Sequence, residues 1–187
     1  MEVNEALPEY KRYTYADYCG WDDDVRRELI DGIPYVMEAP SYAHQKISGN
    51  LHYQLYGFTK DTPCEVLFAP FDVRLNANAL DDTVVQPDLL VVCDESKLDD
   101  RGCVGVPDMA IEILSPSALM HDKVVKFNKY QQAGVREYWI VDPKSKTVSK
   151  NVLINGEYVA EGYGHDESVP VHVLEGCMID LSEVFSK

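Results

Sequence analysis

Two carboxylates lie inside apolar runs of this chain. Asp88 follows Val84 and Val85 and precedes Leu89, Leu90, Val91 and Val92; Glu112 stands between Ala110, Ile111 and Ile113, Leu114. Burying an ionised carboxylate without a partner costs several kcal/mol, so each calls for a metal, a cation or a shifted pKa. If they converge they offer hard oxygen ligands of the kind that suit Mg²⁺ or Mn²⁺, ions that activate water and offset charge on a phosphoryl group. Asp108 also follows a proline, but it is four residues from Glu112 on one strand, roughly 13 Å away at about 3.3 Å per residue, too far to share one ion. Asp88 belongs to the run VVQPDLLVV, expected to be the neighbouring strand, where convergence is possible.

The elements that would position this pair are readable from periodicity and punctuation. Side chains alternate along a strand, so Ala110, Glu112 and Leu114 share one face and Met109, Ile111 and Ile113 the other. Pro87 cannot donate to a ladder, which favours a strand start, a bulge or a bend beside Asp88. A helix is expected from about Ala118 to Ala133, capped by Ser115, Pro116 or Ser117 and stopped by Gly134. On it Asp122, Lys126 and Tyr130 recur every four residues and line one face. Either Lys126 swings toward the sheet, or Asp122 and Lys126 form a surface pair that stabilises the helix by only about 0.2 to 0.5 kcal/mol.

Around this centre, Thr14 can cap a short helix through Tyr18, and RRELIDGIPYVM reads as a hairpin turning at Asp31-Gly32. Ser41 can cap a long helix through about Phe58, with Ile47, Leu51, Leu55 and Phe58 as its apolar stripe. CEVLF and FDVRL are extended, YWIVD is a buried strand, TVSKNVLI and EYVAEGY form a hairpin at Asn155-Gly156, and LSEVF is a last short helix. The pattern predicts an α/β (α+β) fold with a mixed central sheet flanked by helices and an antiparallel C-terminal extension. Residues 1 to 12 read as an arm and 13 to 187 as a single domain.

Composition bounds the function. No apolar stretch approaches the roughly 20 residues that cross a bilayer, and the polar start is unlike a signal peptide, so the expected location is cytoplasmic, with no membrane partner. The five cysteines are scattered and contain no CxxC pair; neither a disulfide nor a zinc site is expected. The formal charge of −15, from 32 acidic and 17 basic residues, opposes loose attraction to nucleic acid. A local patch from Arg26, Arg27, Lys123, Lys126 and Lys129 could offset it. Tyr42, Tyr53 and Tyr56 read as core or rim residues, and Asp72 equally as a site carboxylate or as a salt-bridge partner of Arg74. No GxSxG turn supports a serine hydrolase.

Pro87-Asp88, Glu112-Ile113-Leu114, Ser115-Pro116-Ser117, Lys126, Tyr130, Gly134-Val135 and the run Glu137 to Pro143 together resemble the Uma-two family, named for restriction endonucleases and placed in the PD-(D/E)XK nuclease superfamily. The resemblance spans about Tyr13 to Phe185. It implies a restriction-endonuclease-like fold and an Mg²⁺-dependent (or Mn²⁺-dependent) endonuclease acting on DNA, with Asp88 and Glu112 as catalytic metal ligands. The superfamily's lysine two positions after the acid is replaced by Leu114, and the family pattern carries that role onto Lys126. Glu28 and His44 match as accessory residues: Glu28 as a further ligand or a strand-end carboxylate, and His44 as an orienter of water or phosphate or a helix-surface histidine. A homodimer is expected, since enzymes that cut both strands often use a two-fold axis. The alternative is a catalytically inactive nuclease-fold binding or accessory protein, which the negative charge and the missing strand lysine favour.

Overall fold

A computed structural model describes residues 11–77, 79–115 and 121–186, with residues 121–123 described by backbone alone. Thr14 caps α1 (Tyr15–Tyr18) through a reciprocal capping box with Asp17. The hairpin β1 (Arg27–Ile30) and β2 (Ile33–Val36) turns at Asp31 and Gly32, with φ 51° and 75°. Only glycine fits the second turn position, because a Cβ there would stand 2.8 Å from that of Arg12.

Ser41 caps α2 (Tyr42–Thr59) by accepting from the His44 N–H. The chain continues through β3 (Glu65–Phe68), β4 (Asp72–Arg74), β5 (Val84–Val85), β6 (Leu89–Val92), β7 (Leu98–Asp99), β8 (Gly102–Val104) and β9 (Met109–Ile113). A π-helical segment, His121–Lys126, runs into α3 (Phe127–Ala133), which Gly134 ends at φ 92°. Then come β10 (Glu137–Asp142), β11 (Thr147–Ile154), β12 (Glu157–Gly164), β13 (Ser168–Pro170), β14 (Met178–Asp180) and α4 (Leu181–Val184).

The strands form two six-stranded mixed sheets, ordered β2-β1-β5-β4-β8-β7 and β12-β11-β10-β9-β6-β3, and a small β13-β14 ribbon. In the second sheet β9 runs parallel to β10 and antiparallel to β6, and all five β9 residues are buried. One face of that sheet (Leu89, Val91, Met109, Ile111, Ile113) packs against Ile47, Leu51 and Leu55 of α2 and against the C-terminal segment. The other face (Leu90, Val92, Ala110, Leu114, Tyr138) packs against Tyr130 and against Ile30, Val73 and Val85 of the first sheet. Burial makes two-sided apolar strands the natural choice here.

Several expectations need correction. VVQPDLLVV is not one strand: it breaks at Gln86-Pro87-Asp88, so β5 belongs to one sheet and β6 to the other. Proline's missing donor explains where the ladder stops. The helix expected from Ala118 has its N-terminal part and its caps Pro116 and Ser117 outside the described residues, and its next turn is π-helical. Phe58 is exposed, and Thr59 takes its place on the buried stripe of α2. Tyr42, Tyr53 and Tyr56 are exposed on the same helix. Cys64 and Cys93 form a disulfide, because extending the antiparallel Glu65–Val92 register by one step sets them face to face. Among the described residues no helix is long and apolar enough to cross a membrane.

The disulfide closes a loop across 29 positions of sequence and pins the edge strand β3 to β6. Chemical unfolding with and without a dithiol reductant is expected to show a loss of about 3.5 kcal/mol on reduction, the scale of loop-closure entropy for such a span. Cys64→Ser should show the same loss and no further effect of reductant.

Candidate active site

The junction of the two sheets gathers the charged side chains that the core would otherwise exclude. Glu28 comes from β1 of the first sheet, Glu112 from β9 of the second, and Lys126 from the end of the π-helical segment. The Lys126 ammonium lies 2.7 Å from Glu28 Oε1 and 2.9 Å from Glu112 Oε1. All three residues are 2–3% exposed. Tyr130, one turn further along, donates its hydroxyl to the same Glu112 Oε1 at 2.7 Å. Burial, followed by the Glu112 and Glu28 charges, holds the Tyr130 phenol well above its ordinary pKa, so it stays a donor. The four-residue spacing of Lys126 and Tyr130 therefore works as read, and Lys126 points inward. Asp122, the third member of that series, has its side chain outside the described residues, as has Lys123.

Asp88 sits where the chain crosses between sheets. Its Oδ2 accepts the Ile113 N–H at 2.7 Å, so the carboxylate lies against the peptide joining Glu112 to Ile113. His44, on the first turn of α2, places Nε2 3.0 Å from the same oxygen, and both side chains are largely buried. His44 is thus a partner of Asp88 rather than a helix-surface histidine. Extending the Leu89–Ile111 register by one step sets Asp88 opposite Glu112. The expected strand neighbours are brought together, and Glu28 joins them from the other sheet through Lys126. Asp108, set aside on distance, binds the Cys93 N–H and Arg136 instead.

Gln86, which sequence reasoning passed over, ties this centre together. Its backbone N–H donates to Glu28 Oε1 at 2.7 Å. Its side-chain amide donates to Asp72 Oδ1 at 2.8 Å and to the Tyr18 hydroxyl, and its Oε1 accepts from Arg26. The available signal was a polar residue directly before Pro87-Asp88 in an apolar run. Asp72 accordingly does not pair with Arg74, which binds Asp81; burial raises the Asp72 pKa despite its hydrogen bonds to Gln86 and Tyr18. The expected basic patch is also absent as such among the described residues. Lys126 is buried, Arg27 pairs with Asp23 and Lys129 with Asp31.

Among the described residues no three His, Cys, Asp or Glu side chains are gathered for metal binding. Asp88 has its side chain 18% exposed, and its Oδ1 accepts no hydrogen bond from a described residue. Two carboxylates with the balance of the shell from water and substrate oxygen is the usual habit of Mg²⁺, and Asp88 with Glu112 fits it.

A mixed α+β fold of two sheets flanked by helices is a restriction-endonuclease-like fold. Residues 8–182 match the family described as "Uma2: Putative restriction endonuclease", and the chain belongs to that family. An uncharacterized protein, slr1290, of Synechocystis sp. (strain ATCC 27184 / PCC 6803 / Kazusa) is 26% identical over 148 residues, covering 78% of this chain and 76% of that protein. The crystal structure described as a "putative nuclease belonging to DUF820" from Anabaena variabilis ATCC 29413 shares the fold, with a TM-score of 0.75 at 18% identity over 92% of this chain and 97% of that one.

Removing Lys126 would leave two buried carboxylates facing one another. Lys126→Met is expected to lower the unfolding free energy at neutral pH by about 3 to 5 kcal/mol, and adding Glu28→Gln should restore part of it. Urea unfolding of the single and double variants measures this coupling; a loss below about 1 kcal/mol would show that Lys126 does not hold the pair as an ion bridge.

Proposed function

We propose that this protein is a metal-dependent endonuclease that hydrolyses phosphodiester bonds of DNA as a homodimer. In this reading Asp88 and Glu112 hold Mg²⁺ or Mn²⁺, Lys126 is the catalytic cation, and Glu28, His44 and Tyr130 position them. The observation that carries it is the Lys126 ammonium between Glu28 and Glu112, with the Asp88 carboxylate against the Glu112–Ile113 peptide. Membership of a family described by endonuclease activity supports the same reaction class.

A bound divalent ion would supply Lewis acidity toward a phosphoryl oxygen and a hydroxide at neutral pH. The chain's own groups do the rest. His44 and the Ile113 N–H fix the Asp88 carboxylate by its Oδ2, and Oδ1 accepts no hydrogen bond from a described residue. Tyr130 and Lys126 fix Glu112 through Oε1. In this reading Lys126, buried between Glu28 and Glu112, would stabilise the negative charge that a phosphodiester acquires, and the exclusion of water would make that effect stronger than in solvent. The water oxygen adds to phosphorus and gives up a proton to solvent, the bond to the leaving sugar oxygen breaks and that oxygen takes a proton from solvent, and Lys126 stabilises the charge or orients the attacking water.

Calorimetric titration of Mn²⁺ into metal-free protein is expected to show saturable binding that Asp88→Asn and Glu112→Gln both abolish. Linear and supercoiled DNA should be cleaved by the wild type with Mn²⁺ and not by Asp88→Asn or Lys126→Met. Wild-type metal binding and stability indistinguishable from those of Glu112→Gln, with no cleavage, would instead support the non-catalytic alternative.

A further inference from the structure

Resting on the nuclease reading, we propose that Arg26 is the residue that grips a backbone phosphate of the substrate beside the acidic centre. Arg26 precedes β1 by one residue, and the Met37 N–H still bonds to its carbonyl, so the hairpin ladder extends to it. Alternation puts Arg26 and Glu28 on one face, roughly 6.6 Å apart along the strand. The guanidinium is half-buried. Gln86 Oε1 accepts from its Nε at 3.2 Å and from its Nη2 at 2.8 Å, and Met37 Sδ lies 3.8 Å from Nη2.

These partners are neutral. No carboxylate of the described residues stands at ion-pair distance from Arg26, whereas Arg27 beside it is clamped by both oxygens of Asp23 at 2.5 and 2.8 Å. The Arg26 Nη1 donates to no described residue, and the side chain lines an open cavity of about 390 Å³ whose exposed rim includes Asp24 and Glu38. An amide that orients a cation without neutralising it leaves the charge available to an incoming anion. Arginine's fork suits a phosphate, which accepts two parallel N–H bonds. Because Gln86 also contacts Glu28 through its backbone N–H, the same residue sets the spacing between the proposed phosphate grip and the acidic centre. Gln86 is therefore a positioning residue, and Arg26 a substrate-binding one.

The test separates this inference from the nuclease reading by using binding without metal. Fluorescence anisotropy with a labelled duplex of about 20 base pairs, in EDTA across a salt series, is to be compared for wild type, Arg26→Ala, Arg26→Lys, Gln86→Leu and Arg27→Ala. Arg26→Ala is expected to weaken binding about tenfold and to reduce the salt slope by about one phosphate contact; Arg26→Lys should recover part of the affinity. Gln86→Leu should fall between Arg26→Ala and wild type, and Arg27→Ala should stay within about twofold of wild type. In parallel, the Arg26 Nε–H resonance, assigned by its loss in Arg26→Lys, is followed during pyrophosphate titration.

Equal duplex binding by wild type and Arg26→Ala overturns the inference, as does equal weakening by Arg26→Ala and Arg27→Ala; the nuclease reading would then still stand or fall on Mn²⁺-dependent cleavage. Failure to bind duplex combined with an unmoved Arg26 resonance also overturns it. A resonance that shifts with pyrophosphate in a protein that neither binds nor cuts DNA supports the anion site and removes the nuclease reading alone.

Discussion

A lysine ammonium buried between two carboxylates is the constraint on which the rest of the architecture depends. Glu28 and Glu112 are on different sheets, and neither could lie at 2–3% exposure as an isolated charge. Lys126 makes their burial tolerable only while all three groups are in register, so the sheets cannot slide relative to each other or to α3 without exposing or stranding a charge. Such a cluster is a weak source of net stability, since apolar residues of equal volume often do as well. Its placement where two apolar cores would otherwise close is better explained by use than by stability.

The second constraint is the crossing at Gln86-Pro87-Asp88. A continuous strand through these residues would have kept Val84 to Val92 in one sheet and left Glu28 far from Glu112. The break lets one short segment serve both sheets: the Gln86 N–H goes to Glu28, and Asp88 goes to the Ile113 N–H and to His44. The π-helical segment before α3 works in the same direction. Its wider turn ends at Lys126, after which regular α-helical spacing brings Tyr130 back onto Glu112.

Local chemistry was legible in the sequence, and long-range closure was not. The Asp31-Gly32 and Asn155-Gly156 hairpins, the Ser41 cap and the Gly134 stop are each specified by one or two residues, and each appears where expected. Asp88 and Glu112 stood out because a carboxylate in an apolar run is costly wherever it lands. That Lys126 bridges Glu112 to Glu28, across 98 positions from the latter, depends on a sheet junction that no local pattern encodes. The disulfide was lost for the same reason. Cys64 and Cys93 flank two apolar runs, but only their antiparallel pairing makes them opposite.

The charge distribution bears on how such a protein would meet a polyanion. Several of its described cations are already spent on its own acids: Arg27 on Asp23, Arg74 on Asp81, Lys129 on Asp31, Arg136 on Asp108 and Lys150 on Glu161. With a formal charge of −15, the surface repels a phosphate backbone at long range, so diffuse, sequence-independent binding is weak. Attraction then has to come from a few short-range contacts, where pointed donors are worth more than net charge because water and salt are excluded. On the proposed nuclease reading, a chain built this way would give up rapid capture and in return discriminate against nucleic acid that does not reach the sheet junction.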